Sequence, residues 1–171
     1  DVTERRVLKR DEKGLLLEET KYYGDDAGER AEYAYDEKEN IISIKRYDEE
    51  GDFDVREEMK YDDKGSLIER TKYDKDNKVV ERLSFAMDSA SNEVEEMEYF
   101  PDGKVKTKTV IKLNEKGKEI SSVQTTPDGK LISAVKTVYD DRENVIERHY
   151  KDFYSKSIRY SYGEQDRLIT Q

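Results

Sequence analysis

The stretch from Tyr61 to Asp88, YDDKGSLIERTKYDKDNKVVERLSFAMD, reads as turn, strand, turn, strand. Twice a Tyr-Asp pair opens a polar run, first Tyr61-Asp-Asp-Lys-Gly65 and then Tyr73-Asp-Lys-Asp-Asn77, and each run is followed by strand-like residues. Gly and Asn close these runs because both tolerate positive φ, and the Asp can accept a bond from the backbone two residues on, so each run predicts a hairpin turn.

Working outward, the unit repeats with a period of 26 residues. Turn starters stand at Asp36, Asp62, Asp88, Asn114, Asp140 and Asp166, and the residue before them runs Tyr35, Tyr61, Met87, Leu113, Tyr139. The second turn ends at Gly51, Asn77, Gly103, Gly129 and Ser155, and an apolar position follows the first turn at Ile42, Ile68, Val94, Ile120 and Ile146. Four columns in one phase define a repeat protein. Residues 1 to 35 are a degenerate first copy, with strands near Thr3 to Lys9 and Leu15 to Tyr23, a loop at Gly24 to Gly28 and a strand from Glu29 to Tyr35. Regular copies run from about 36 to 166, and with no linker in view the whole of 1 to 171 reads as a single repeat domain.

Within the copies, Phe53, Val55, Met59 and Tyr61 alternate onto one face, as do Val79, Leu83, Phe85 and Met87, then Val105, Ile111 and Leu113, then Leu131, Val135 and Tyr139. The Ile42 column has the opposite parity to the apolar residues just before the next turn, and a β-bulge would reconcile the two. Helical spacing is nearly absent. The expected fold is therefore all-β, an antiparallel β-meander of twelve to thirteen strands in stacked 26-residue hairpin repeats. A sheet that wide is expected to be curved or curled so that it covers its own apolar face and buries Leu83 and Phe85.

Composition narrows the function. The chain is 33% hydrophobic and 43% charged, with a net charge of −10, 13 Tyr and no Cys. An acidic chain disfavours generic nucleic-acid or anionic-membrane binding, and the lack of Cys removes disulfides, thiolate nucleophiles and Cys-based metal sites. The charge is uneven: residues 1 to 100 carry 31 acids and 18 bases, and residues 101 to 171 carry 11 acids and 14 bases. No apolar run approaches a membrane span. The chain starts at Asp1 and not at Met, which fits a removed signal, lipoprotein or tag segment.

Candidate chemistry is sparse. His149, the only histidine, aligns with Lys45, Thr71, Met97 and Val123 in the other copies and so reads as an ordinary strand position. Asp74 to Asn77 opens like a calcium loop but lacks the Gly at the sixth position and the downstream Glu. Lys104, Lys106 and Lys108 are expected to face Glu96 and Glu98 across the Pro101-Asp-Gly103 turn. The Tyr column reads as packing beside the turns, because Met87 and Leu113 replace it. No catalytic residue, metal ligand or cofactor is assigned, and the sequence alone does not locate a binding surface.

At Tyr47-Asp-Glu-Glu-Gly51 and Tyr61-Asp-Asp-Lys-Gly65 the chain resembles bacterial YD/RHS-type repeats, and it is also similar to MORN-like β-hairpin repeats, over roughly Glu29 to Tyr162. The resemblance implies bacterial origin, stacked hairpins and a non-catalytic role in an envelope or secreted setting. The shell that large RHS proteins wrap around a toxin is not carried over to a chain of this length. The expected function is a binding or structural repeat module of an extracytoplasmic protein, periplasmic, lipoprotein or secreted. Such a module would act as a monomer on a protein or glycan partner, without nucleic acid or a membrane span. An immunity-type partner of a toxin and a carboxylate-based glycan hydrolase are the alternatives.

Overall fold

A computed structural model of the chain describes residues 4–152, 155–162 and 168–170. The described strands are antiparallel and follow one another as a meander in chain order, β1 to β13, with β14 (Ser161–Tyr162) and β15 (Leu168–Thr170) forming a separate pair. The fold is the expected all-β meander of hairpin repeats. No helix among the described residues is long and apolar enough to cross a membrane.

The chain packs as two compact units, Asp1–Ser84 with Phe100–Asp102, and Phe85–Tyr99 with Gly103–Gln171. The first holds β1 (Glu4–Arg10), β2 (Leu16–Tyr23), β3 (Asp26–Tyr35), β4 (Ile41–Tyr47), β5 (Phe53–Tyr61), β6 (Leu67–Tyr73) and the start of β7 (Val79–Asp88). The second holds the end of β7, then β8 (Glu93–Tyr99), β9 (Val105–Leu113), β10 (Glu119–Thr125), β11 (Leu131–Tyr139), β12 (Val145–Lys151) and β13 (Ser155–Arg159).

Nine hairpins among the described residues share one turn. Its fourth residue is left-handed in every case: Gly14, Glu39, Gly51, Gly65, Asn77, Gly103, Gly117, Gly129 and Glu143. In the copy quoted above, the Asp62 amide donates to the Ser66 carbonyl and the Gly65 amide to the Asp62 carbonyl. The Asp62 carboxylate accepts from the amides of Lys64 (2.9 Å) and Ser66 (2.8 Å). Asp11, Asp36, Asp74, Asn114 and Asp140 repeat this double acceptance. Asp62→Ala removes both bonds and should cost about 1 kcal/mol, the usual value of a lost cap, while the neighbouring Asp63→Ala should be near neutral. Urea denaturation of the two variants checks this.

Every one of these hairpins also carries the same bulge. Pairing steps from Lys60↔Glu69 to Tyr61↔Leu67, so Ile68 is the extra residue. By the same count the extra residues elsewhere include Leu17, Ile42, Ile120 and Ile146. The parity conflict of the Ile42 column is thereby resolved as expected: its members sit on the bulge, except Val94, which pairs regularly with Ile111. Ile42 and Ile68 are accordingly exposed.

Two details differ from the sequence reading. The loop at Gly24 to Gly28 shrinks to Gly24-Asp25, because β3 begins at Asp26. Gly28 lies under the Tyr23 ring, where an added Cβ would stand 2.8 Å from Cε2, so a glycine lets the aromatic fold over the strand. Ser155 opens β13 and so does not end a turn. Asp166 lies outside the described residues.

The larger correction concerns the core. The surface is 12281 Å², against roughly 8,700 Å² expected for a compact protein of this mass. Only Val55 and Leu83 are buried apolar residues among those described, and no large side chain is fully buried. Phe85 is half-buried and Met87 exposed, so the apolar face is not covered as expected. The physical reason lies across the ladder: Val55 pairs with Arg46, and Leu83 with Arg70. These arginines form ion pairs with Glu57 and Glu81 on the same face. Long charged side chains lay their methylenes over apolar neighbours and keep their heads in water, so a thin sheet shields its hydrophobes without a second layer.

Candidate interaction surface

The bulges and turns set two Tyr columns with different tasks. Tyr35, Tyr61 and Tyr139 donate through their hydroxyls to the carbonyls of Leu16 (2.8 Å), Ile41 (2.9 Å) and Glu119 (2.8 Å), binding the turn to the preceding hairpin. Packing beside the turn was the expectation, and the hydroxyl adds a bond that Met87 and Leu113 cannot make. Burial raises the titration of Tyr61.

The second column builds a cassette that recurs one period apart in the first unit. Arg30 stacks over the Tyr47 ring at 3.9 Å and pairs with Glu32 at 2.6 Å, while the Tyr47 hydroxyl donates to Glu32. Arg56 repeats this over Tyr73 at 4.4 Å, pairs with Glu58 at 3.3 Å, and the Tyr73 hydroxyl donates to Glu58. Burial, then the nearby carboxylates, push both Tyr hydroxyls up. Arginine suits this position because a planar guanidinium can stack and pair at once. Thr71 is buried on the same face, between Glu58 and Arg82 in the register.

Ion pairs also join turns one period apart. Lys13 meets Glu39 at 3.4 Å, and Lys116 and Lys118 both reach Glu143. Hydrogen bonds from Lys116 and then Lys118 hold the Glu143 carboxyl down at about 2. Glu69 is lowered by bonds from Lys60 and Arg82, and Glu147 by one from Arg159. Glu29, Asp36, Asp88, Asp128 and Asp140 are lowered as well, by hydrogen bonds from neighbouring side chains or backbone amides. In the unfolded chain carboxyls titrate at about 4, so the folded state binds fewer protons in acid. Their stabilisation is complete above that value and is lost as pH falls toward about 2, where Glu143 titrates. The urea midpoint at pH 3 should therefore lie clearly below that at pH 6, and an equal or higher midpoint at pH 3 would contradict the pairing scheme.

The residues singled out for chemistry fall as follows. Lys106 meets Glu98 at 2.6 Å as expected. Lys108 meets Glu95 and not Glu96, because the bulge at Lys106 sets Met97 opposite Lys108 and Glu96 opposite Thr109. Asp74 spends its carboxylate on the amides of Asp76 and Lys78 in the turn. His149 is exposed on β12, with Nδ1 2.9 Å from Ser157 Oγ and Nε2 3.2 Å from Glu147.

His149 also borders a shallow groove in the second unit, about 520 Å³ in volume, over β10 to β13. Val123 and Ala134 form its apolar floor, with Ser121, Lys136, Lys151 and Ser157 around them. The ladder places these on one face: Val123 pairs with Ala134, Ser121 and His149 with Lys136, Ala134 with Lys151, and His149 with Ser157. The groove escaped the sequence reading because its members come from four strands and meet only through the register.

No protein-family model and no curated protein matches the chain. Among solved structures it is similar to a porin-like protein from Bacteroides uniformis, at 10% identity and TM-score 0.52, over 90% of this chain and 85% of that one. It is also similar to a TcdB2-TccC3 chain, at 15% identity and TM-score 0.49, and to a chain of the Photorhabdus luminescens Tc holotoxin pore, at 14% and 0.44. Both matches cover 96% of this chain and 10% of the other, so the chain spans about a tenth of those proteins. At 10% identity the likeness to the porin-like protein is one of fold alone.

Proposed function

We propose that this chain is a non-catalytic binding or structural repeat module of a bacterial extracytoplasmic or surface-associated protein, acting as a monomer on a protein or glycan partner. The observation that carries the reading is the cassette of Arg, Tyr and Glu on one face of the first unit, at Arg30, Tyr47 and Glu32 and again at Arg56, Tyr73 and Glu58. Stacked and cross-bonded, these side chains have little rotamer freedom left to lose, so a partner can dock on them at a low entropic cost. Arg and Tyr are also enriched among residues that dominate interfaces. The extracytoplasmic setting follows from the resemblance to YD/RHS-type repeats. Against a carboxylate-based hydrolase stands the direction of titration: a general acid needs a raised carboxyl, and Glu29, Asp36, Glu69, Asp88, Asp128, Asp140, Glu143 and Glu147 are all displaced downward.

The test is co-sedimentation of the purified protein with isolated bacterial envelopes, before and after protease treatment, while assaying for soluble reducing ends. Retention without reducing ends is expected, weakened by the Arg56→Ala, Tyr73→Ala double variant. Protease sensitivity of the retention separates a protein partner from a glycan. Failure of retention, or release of reducing ends that a single Glu→Gln or Asp→Asn change abolishes, contradicts the reading.

A further inference from the structure

The groove over β10 to β13 occupies the cassette's own repeat positions, with its chemistry reversed. Stepping by the repeat, Arg30 and Arg56 become Arg82, Lys108 and then Ala134. Glu32 and Glu58 become Ser84, Val110 and then Lys136, and Tyr47 and Tyr73 become Tyr99, Thr125 and then Lys151. Ser121 stands in a column that carries Ser43, Glu69 and Glu95 in the earlier copies. In this copy the long guanidinium is cut back to a methyl, which opens the floor, and the carboxylate and the ring beside it are exchanged for ammonium groups.

We propose that this groove binds a small organic anion with an apolar body, its charged end between Lys136 and Lys151 and its apolar part on Val123 and Ala134. Four observations carry the assignment. The groove of about 520 Å³ falls in the size range of small-ligand sites. No carboxylate among the described residues lines it, in a chain with 42 acids. Lys136 and Lys151 form no ion pair among the described residues, whereas Lys106, Lys108, Lys112, Lys116 and Lys118 of the same unit are all paired. Val123 is left 39% exposed on the floor, an apolar surface that a ligand body would cover. Ser121 adds a hydroxyl at the rim, and Ser157 holds the His149 ring at Nδ1. Glu147 occupies the other ring nitrogen, so His149 acts as a wall, and the lysines supply the recognising charge.

The inference rests on the reading of the chain as a binding module, and it concerns a different unit from the cassettes, so the two can fail separately. The test uses the full chain and the fluorescent probe 1-anilinonaphthalene-8-sulfonate, which joins an apolar ring system to one anion, beside N-phenyl-1-naphthylamine, the same rings without the charge. Saturable binding of the sulfonate and at least tenfold weaker binding of the neutral amine are expected. Lys136→Gln with Lys151→Gln should weaken the sulfonate about tenfold, the discounted sum for two charge contacts in an open site. The control pair Lys72→Gln with Lys75→Gln, an equal change of net charge in the first unit, should leave it unchanged.

Ala134→Arg separates a built site from general attraction. It restores the residue type of the earlier copies and adds a positive charge, so non-specific electrostatics would tighten the sulfonate, whereas filling the floor should abolish its binding. Far-UV circular dichroism confirms that each variant is folded. No saturable signal, equal binding of the two probes, or tighter binding to Ala134→Arg would overturn the proposal.

Discussion

Leu83→Ala is expected to lower the stability of the protein by about 2–3 kcal/mol, the lower part of the range for a buried leucine. In a chain of this size that corresponds to a fall in melting temperature of roughly 5–10 °C. Leu83 is 8% exposed, and with Val55 it makes up the buried apolar set of the described residues. The loss stays at the low end because the group opposite it, Arg70, is a flexible chain that can settle into part of the space. Phe85 would ordinarily be the costlier truncation, as the larger side chain. In this fold it is half-buried, and Phe85→Ala should cost less than Leu83→Ala, about 1–2 kcal/mol from the area it covers. Denaturant titrations of both variants decide between this thin sheet and one that folds onto its own face, for which the order would be reversed.

Gly103→Val should destabilise by about 1–2 kcal/mol or more, since a β-branched residue is strained at left-handed φ. Gly103 has a φ of 86° and nothing within 4 Å of a Cβ built on it, so the cost is conformational and owes nothing to a clash. Lys104→Val, one residue on, should be nearly neutral. The same energy runs the other way at Glu39, which holds a φ of 67° without being glycine. Its ion pair with Lys13 is exposed at 3.4 Å and worth little. Glu39→Gly should therefore stabilise by about 1 kcal/mol, and thermal melts of the three variants should fall in that order.

Much of this architecture is legible in the residues because turns and alternation are local. Asp62 and Gly65 announce their turn by side-chain chemistry alone, and the opposite parity of Ile68 and Tyr73 on one strand pointed to the bulge that the register shows. What could not be read was how a face is shielded. Alternation marks Val55 and Leu83 as inward, but the cover comes from Arg46 and Arg70 on neighbouring strands, residues that alone read as solvated charge. The Tyr47 and Tyr73 cassettes were hidden for a related reason: their Arg partners precede them by 17 residues, a distance that means contact only once the hairpin is closed. Lys136, Lys151 and Val123 converge through a register of several strands, and no local pattern links them.

The central claim is that the chain is an array of interchangeable 26-residue hairpin units, each held by its neighbours through turns, bulges and ladder pairs. Excision of residues 36 to 61 tests it most directly. The cut joins Tyr35 to Asp62 and so rebuilds a complete turn, Tyr35 followed by Asp62-Asp-Lys-Gly65, with its double-accepting carboxylate and left-handed glycine intact. The shortened protein should keep a β-type circular dichroism spectrum and melt in a cooperative transition. A chain that is unfolded by circular dichroism after the loss of one period would contradict the account.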